Sequence, residues 1–220
     1  MTPSSNVSVE RDFHSWAPEG VFVHAARMLM REATVENALA LATEYAPRAA
    51  DELSTLEPDV VVFCCTGAGA SLGPDGEREL IDRLAGLAQA PVVSTNRAVI
   101  AAMRAHQVES VAIITPYTDD QTSILAAARE AEGWRVAAAA GMGIGINREI
   151  ARVGVEELVE FSEAALRDAE FELLFVSCTN LSTAAALPVL EQRFGVPVVT
   201  SNRASFDAAM AVLGEPAEAI

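Results

Sequence analysis

Short apolar runs alternate with amphipathic stretches along almost the whole chain. Residues 60–63 are β-branched and aromatic throughout and follow Pro58-Asp59, the pattern of a strand buried on both faces. Residues 92–93, 110–115, 135–140, 173–176 and 198–199 read in the same way. Between them apolar positions recur at helical spacing over 34–53, 78–87, 96–106, 120–132, 156–168, 184–194 and 205–213. Thr34 is placed to cap the first of these helices, with Asn37 three residues on. Residues 7–13 are too mixed to assign, and 141–147 are broken by glycines. Strands that alternate with helices predict α/β architecture with parallel sheets. In such sheets ligands gather outside the carboxyl ends of the strands, where Cys65, Thr115-Pro116-Tyr117 and Cys178 all fall.

The pattern also repeats. Pro91-Val92-Val93-Ser94-Thr95-Asn96-Arg97-Ala98 returns as Pro197-Val198-Val199-Thr200-Ser201-Asn202-Arg203-Ala204, and each copy lies downstream of an apolar run that ends in Cys-Thr, at Cys65-Thr66 and at Cys178-Thr179. This predicts two similar lobes related by a pseudo-twofold axis, with the active site in the cleft between them. Each Pro-Val-Val strand is followed by a helix that crosses to the other lobe, which sets the first lobe at 1–98 plus 205–220 and the second at 99–204.

Composition narrows the chemistry. The chain has 220 residues, a net charge of −16 and fifteen basic residues, all of them arginine. Without lysine there is no internal Schiff base with pyridoxal phosphate and no Walker-type phosphate loop. A strongly acidic chain with no basic stripe repels polyanions, which argues against nucleic-acid binding. No apolar run reaches membrane-spanning length and no export signal is visible, so a cytoplasmic location is expected. His14, His24 and His106 are dispersed and do not stand at metal-ligand spacing with the three cysteines, so no metal site is expected.

A cysteine between a strand end and a helix start receives backbone N–H donors and the positive end of the helix dipole, both of which favour the thiolate. Cys65 and Cys178 occupy matched places in the repeat. Cys64 does not, and because neighbouring strand side chains point to opposite faces it reads as core. Thr66, Thr179 and Asn180 offer donors beside the two sulfurs. The glycines after Cys65 read as either a turn or a close approach to ligand. Tyr117 is either a capping aromatic or a donor to a carboxylate, and Asn147 and Asn6 are either turn residues or ligand contacts. Arg27 reads as a surface arginine, and Asn96 and Asn202 as helix caps.

In order along the chain, Pro3-Ser4-Ser5-Asn6-Val7-Ser8-Val9-Glu10, Cys65-Thr66, Thr115-Pro116-Tyr117, Ile146-Asn147 and Ser177-Cys178-Thr179-Asn180-Leu181 resemble the maleate cis-trans isomerases of the aspartate/glutamate racemase superfamily. The resemblance implies a dimeric enzyme with no cofactor. In it Cys65 adds to an alkene carbon of a small dicarboxylate, Cys178 supplies and reclaims a proton, and Asn6, Tyr117 and Asn147 hold the carboxylates with Thr66, Thr179 and Asn180. Relatives often carry serine where this chain has Gly67 and a basic residue where it has Ser182. Two other readings stay open, a racemase or epimerase of an acidic or acylated amino acid and a non-catalytic dicarboxylate-binding protein.

Overall fold

Eight short strands, all paired in parallel, form two layers of sheet among the residues that the computed structural model describes, 1–32 and 34–214. The second-half sheet has four strands in the order β6 (Arg135–Gly141), β5 (Ser110–Thr115), β7 (Leu173–Val176) and β8 (Val198–Thr200). The first half holds β1 (Thr2–Pro3) paired with β2 (Arg27–Met28), and β3 (Val61–Phe63) paired with β4 (Val92–Ser94). Met1 joins these two pairs: its amino group donates to the Val62 carbonyl at 2.8 Å, and its carbonyl accepts from the Cys64 N–H at 3.0 Å. The resulting order, β2-β1-β3-β4, matches β6-β5-β7-β8 strand for strand. The two lobes inferred from the repeat are therefore present as similar parallel sheets. Residues 215–220, assigned to the first lobe from the sequence, lie outside the described residues.

Ten α-helices and one π-helical turn cover these sheets among the described residues. They are α1 (Ser8–Trp16), α2 (Val35–Ala40), α3 (Ala46–Ser54), α4 (Thr66–Ala88), α5 (Thr95–Ala105), α6 (Asp119–Ala131), α7 (Asn147–Ile150), α8 (Val155–Ala165), α9 (Leu187–Phe194) and α10 (Ser201–Leu213). Thr34 caps α2 by accepting from the Asn37 N–H, as the spacing predicts. The single helix expected over 34–53 is interrupted by a π-helical turn at Leu41–Tyr45, just before Pro47. A proline there cannot donate back to the preceding turn, and the extra residue in the turn accommodates it.

Strand alternation distributes the core. Val61 and Phe63 face α2, α3 and α4, whereas Val62 turns the other way toward Phe206 and Met210 of α10. In the second sheet Ala112, Ile114, Leu174 and Val176 pack on α8 and α9, while Val111, Ile113, Leu173 and Phe175 pack on Val99 and Met103 of α5. Thus α5, which follows a strand of the first sheet, lies on the second, and α10, which follows a strand of the second, lies on the first. Both helices are capped by the last residue of the preceding strand: Ser94 accepts from Arg97 N–H and Thr200 from Arg203 N–H. Each cap is worth about 1 kcal/mol.

Asn96 and Asn202, expected as the caps, instead sit two residues past them in the first turn and are buried. Asn202 donates to the buried carboxylate of Asp12 at 2.7 Å, and Asn96 to that of Glu77 at 2.8 Å. The Asn96 oxygen accepts from Arg129, itself 1% exposed. The repeated asparagine therefore ties each crossover helix to a buried charge on a neighbouring helix.

Candidate active site

Cys65 ends the segment after β3 and serves as the N-cap residue of α4. The glycines that follow are helical. Gly69 is required there, because a Cβ on it would lie 2.4 Å from Glu77 Oε1 and 2.6 Å from the Asn96 Cβ. Helical geometry breaks only at Gly73, with φ +69°, immediately before Pro74. The backbone N–H groups of Ala68 and Gly67 at the start of α4 favour the Cys65 thiolate. Burial outweighs them and pushes the thiol up to about 12, with further upward pressure from Cys178 and Cys64. The expectation of a depressed pKa is thus corrected: removing the sulfur from water costs more than one helix start returns.

Cys178 follows β7 but precedes no helix, since α9 begins only at Leu187. Its φ of +110° is a strained value for a residue with a side chain. The strain turns the Asn180 N–H back to the sulfur at 3.3 Å. Burial raises this thiol as well, opposed first by the Tyr117 side chain and then by the Asn180 and Leu181 amides. Tyr117 is held well above the usual phenol range, chiefly by burial and then by the two cysteines. Its backbone is clamped in place: the N–H donates to Thr115 Oγ1, and a Cβ on Gly141 would lie 2.4 Å from its carbonyl oxygen.

Cys65 and Cys178 line one cavity of about 60 Å³. Of the eight residues singled out from the sequence, Cys65, Thr66, Tyr117, Asn147, Cys178 and Thr179 border it. Asn6 and Asn180 stand behind it. The Asn6 amide donates to Thr179 Oγ1 at 3.0 Å while its oxygen accepts from Ser8 and Val9, which caps α1. Asn180 accepts from Val7 N–H and donates to the Asn147 carbonyl at 2.6 Å. Asn147 in turn donates to Ser5 at 2.7 Å. Arg27 is more than a surface residue, because it pairs with Glu10 and donates to the Asn6 carbonyl.

The threonine hydroxyls are engaged across the cleft. Thr66 Oγ1 lies 2.9 Å from Ser201 Oγ, and Thr179 Oγ1 donates to the Cys64 carbonyl at 3.4 Å. Gln121 and Ser71 add polar groups to the wall that the sequence reading missed. They lie inside ordinary helical patterns, and only the tertiary fold brings α4 and α6 to the cleft. Among the described residues that line it, none carries a permanent charge, so a bound carboxylate would be met by neutral donors. No group of three or more His, Cys, Asp or Glu side chains suited to a metal ion occurs among the described residues. Cys64 faces away, into a separate groove of about 390 Å³ between β3, α1 and α10.

Comparison with known proteins adds to this geometry. Residues 20–220 match the family model described as arylmalonate decarboxylase. The chain is 28% identical to maleate isomerase of Nocardia farcinica over 214 residues, covering 93% of this chain and 84% of that protein. It is 35% identical to arylmalonate decarboxylase of Bordetella bronchiseptica over 130 residues, 59% of this chain and 54% of that one. Among solved structures it superposes at a TM-score of 0.87 on a cysteine-to-serine mutant of the Nocardia farcinica maleate cis-trans isomerase with a covalently bound succinylcysteine intermediate, at 25% identity and covering 98% of this chain and 91% of that one.

Proposed function

The chain belongs to the arylmalonate decarboxylase family, and from that premise we propose that it is a cofactor-independent cis-trans isomerase of maleate or a similar small cis-enedioate. The observation that carries this reading is the placement of Cys65 and Cys178 on one cavity, contributed by equivalent strand ends of the two lobes. A relative that holds a succinylcysteine intermediate supports the covalent route.

The reaction starts from one thiolate and one thiol. The Cys65 thiolate donates an electron pair to one alkene carbon and forms a C–S bond. The π pair moves toward the carboxylate on the other carbon, giving an enediolate-like species. Cys178 transfers its proton to that carbon and becomes the thiolate. The resulting succinyl thioether has a single C–C bond and rotates. Cys178 then takes a proton back, the C–S bond breaks, and the trans-enedioate leaves with Cys65 again a thiolate. Developing negative charge needs donors aimed at the carboxylate oxygens, a task assigned to Tyr117, Asn147 and the groups around Thr66 and Thr179. Asn6 and Asn180 support that set through their bonds to Thr179 and to the Asn147 carbonyl.

The further assignments are that the lobes comprise 1–98 plus 205–220 and 99–204, that the enzyme works as a homodimer, and that it works in the cytoplasm. The packing of α5 on the second sheet and α10 on the first supports the division. The free state of all three cysteines suits a reducing compartment.

The test is to follow purified protein with maleate by proton NMR. Appearance of fumarate is expected. In heavy water, deuterium at the α-carbon of an acidic amino acid with maleate left untouched would overturn this reading in favour of a racemase.

A further inference from the structure

We infer that Ser201 is a positioning residue that fixes the two cysteine-bearing loops relative to each other. Its hydroxyl bonds to both loops, lying 2.9 Å from Thr66 Oγ1, next to Cys65, and accepting from the Cys178 N–H at 3.1 Å. Ser201 is fully buried and does not border the cavity, so it touches the catalytic segments without touching substrate.

Three features make this hydroxyl a constraint on the site. First, it opens α10, which is rooted in β8 of the second sheet and packs on the first, so its position is set by both lobes. Second, the Cys178 N–H is held in a strained backbone at φ +110°, and its bond to Ser201 is one of the contacts that keep that conformation. Third, the repeat is broken at this point. The counterpart of Ser201 is Thr95, yet the Cys65 N–H bonds to the Phe63 carbonyl instead. Thr95 interacts with Cys64 and accepts from Ser205. The bridge between the loops thus exists on one side of the pseudo-twofold only.

A two-thiol reaction needs one sulfur at an alkene carbon and the other at its neighbour in a single pose. An error of about 1 Å in such placement costs about a hundredfold in rate. Ser201→Ala is therefore expected to lower kcat by about a hundredfold while KM stays within about threefold. Ser201→Thr, which keeps the hydroxyl, restores most of kcat. Ser205→Ala, which removes an equally buried hydroxyl from the same helix but leaves both cysteine loops bonded, stays near the native kcat.

The inference rests on the isomerase reading, and the two are separable. Absence of maleate turnover in the native chain refutes the isomerase reading. A native rate in Ser201→Ala with an active parent, or an equal loss in Ser205→Ala, overturns the role of Ser201. Amide exchange of Cys178 gives a readout free of activity. Exchange about tenfold faster in folded Ser201→Ala than in the native chain supports the role, and unchanged exchange overturns it. If Ser201→Ala does not fold, Ser201→Cys fills the same space with a thiol that is only a weak hydrogen-bond partner. It is expected to show the same fall in kcat at constant KM, and a native kcat would overturn the inference.

Discussion

Tyr117, just past the end of β5, and Cys178, just past the adjacent strand β7, line the same cavity, and the phenol favours the Cys178 thiolate. The phenol thereby opposes the upward pull of burial on that thiol. Its removal in Tyr117→Phe leaves the burial penalty less opposed and moves the ionisation of Cys178 to higher pH. The expected outcome is a kcat lowered by about 10- to 100-fold at neutral pH, because Cys178 gives up its proton less readily, with the alkaline limb of the profile, where that proton is lost to solvent, moved to higher pH. A pH profile of maleate turnover checks it, and an unshifted profile would show that Tyr117 does not tune the thiol.

Cys65→Ala and Cys178→Ala are each expected to lower maleate turnover by at least about 10³-fold. Cys64→Ala should retain activity within about threefold, because Cys64 lines the groove on the opposite face of β3. In Cys178→Ser an adduct on Cys65 should accumulate, visible in the intact mass as one added equivalent of maleate.

Burial raises both thiols, Cys65 to about 12 and Cys178 in the same direction. A thiol with a raised pKa is protonated at neutral pH, so the reactive thiolate is scarce there and grows as pH rises. The pH dependence of kcat/KM should climb through the alkaline range, with its midpoint above that of an ordinary cysteine. Thiolate absorbance titrated in the Cys64→Ala protein should rise in the same range. A midpoint below 7, an order-of-magnitude mark for an activated cysteine, would contradict this desolvation account.

Gly69→Ala forces a methyl group to within 2.4 Å of Glu77 Oε1 and 2.6 Å of Asn96 Cβ. Overpacking of this kind costs about 1–3 kcal/mol. Because Gly69 stands one turn after Cys65, activity should fall along with stability. Gly67→Ala has no atom within 4 Å of the new Cβ and should leave stability nearly unchanged. Thermal unfolding of the two variants provides the comparison.

Much of the fold was legible in the sequence because local rules governed it. Parallel strands buried on both faces demand apolar runs, and each run from Val61–Phe63 to Val198–Thr200 forms a strand at or near its expected place. The opposite orientation of Cys64 and Cys65 follows from alternation alone. Where local signals conflicted, reading failed. Gly67 and Gly69 suggested a turn, although α4 already begins at Thr66, because close packing on Glu77 and Asn96 rather than backbone freedom requires the second glycine. Residues 7–13 showed no clear pattern, yet Asn6 caps a helix there whose Phe13 packs against Phe206 of α10.

The sequence by itself determined the order of the strands from Val61 onward, the repeat that makes two lobes, and the two Cys-Thr pairs at matched strand ends. Each of these depends on residues close together in the chain or on simple periodicity. Tertiary structure alone decided which hydroxyls and amides remain for a ligand and which are committed across the cleft, as Thr66 is to Ser201 and Asn6 to Thr179. It also decided the ionisation of the thiols. A helix start can be read from a few neighbouring residues, but desolvation sums over every atom that displaces water, and those atoms come from both lobes.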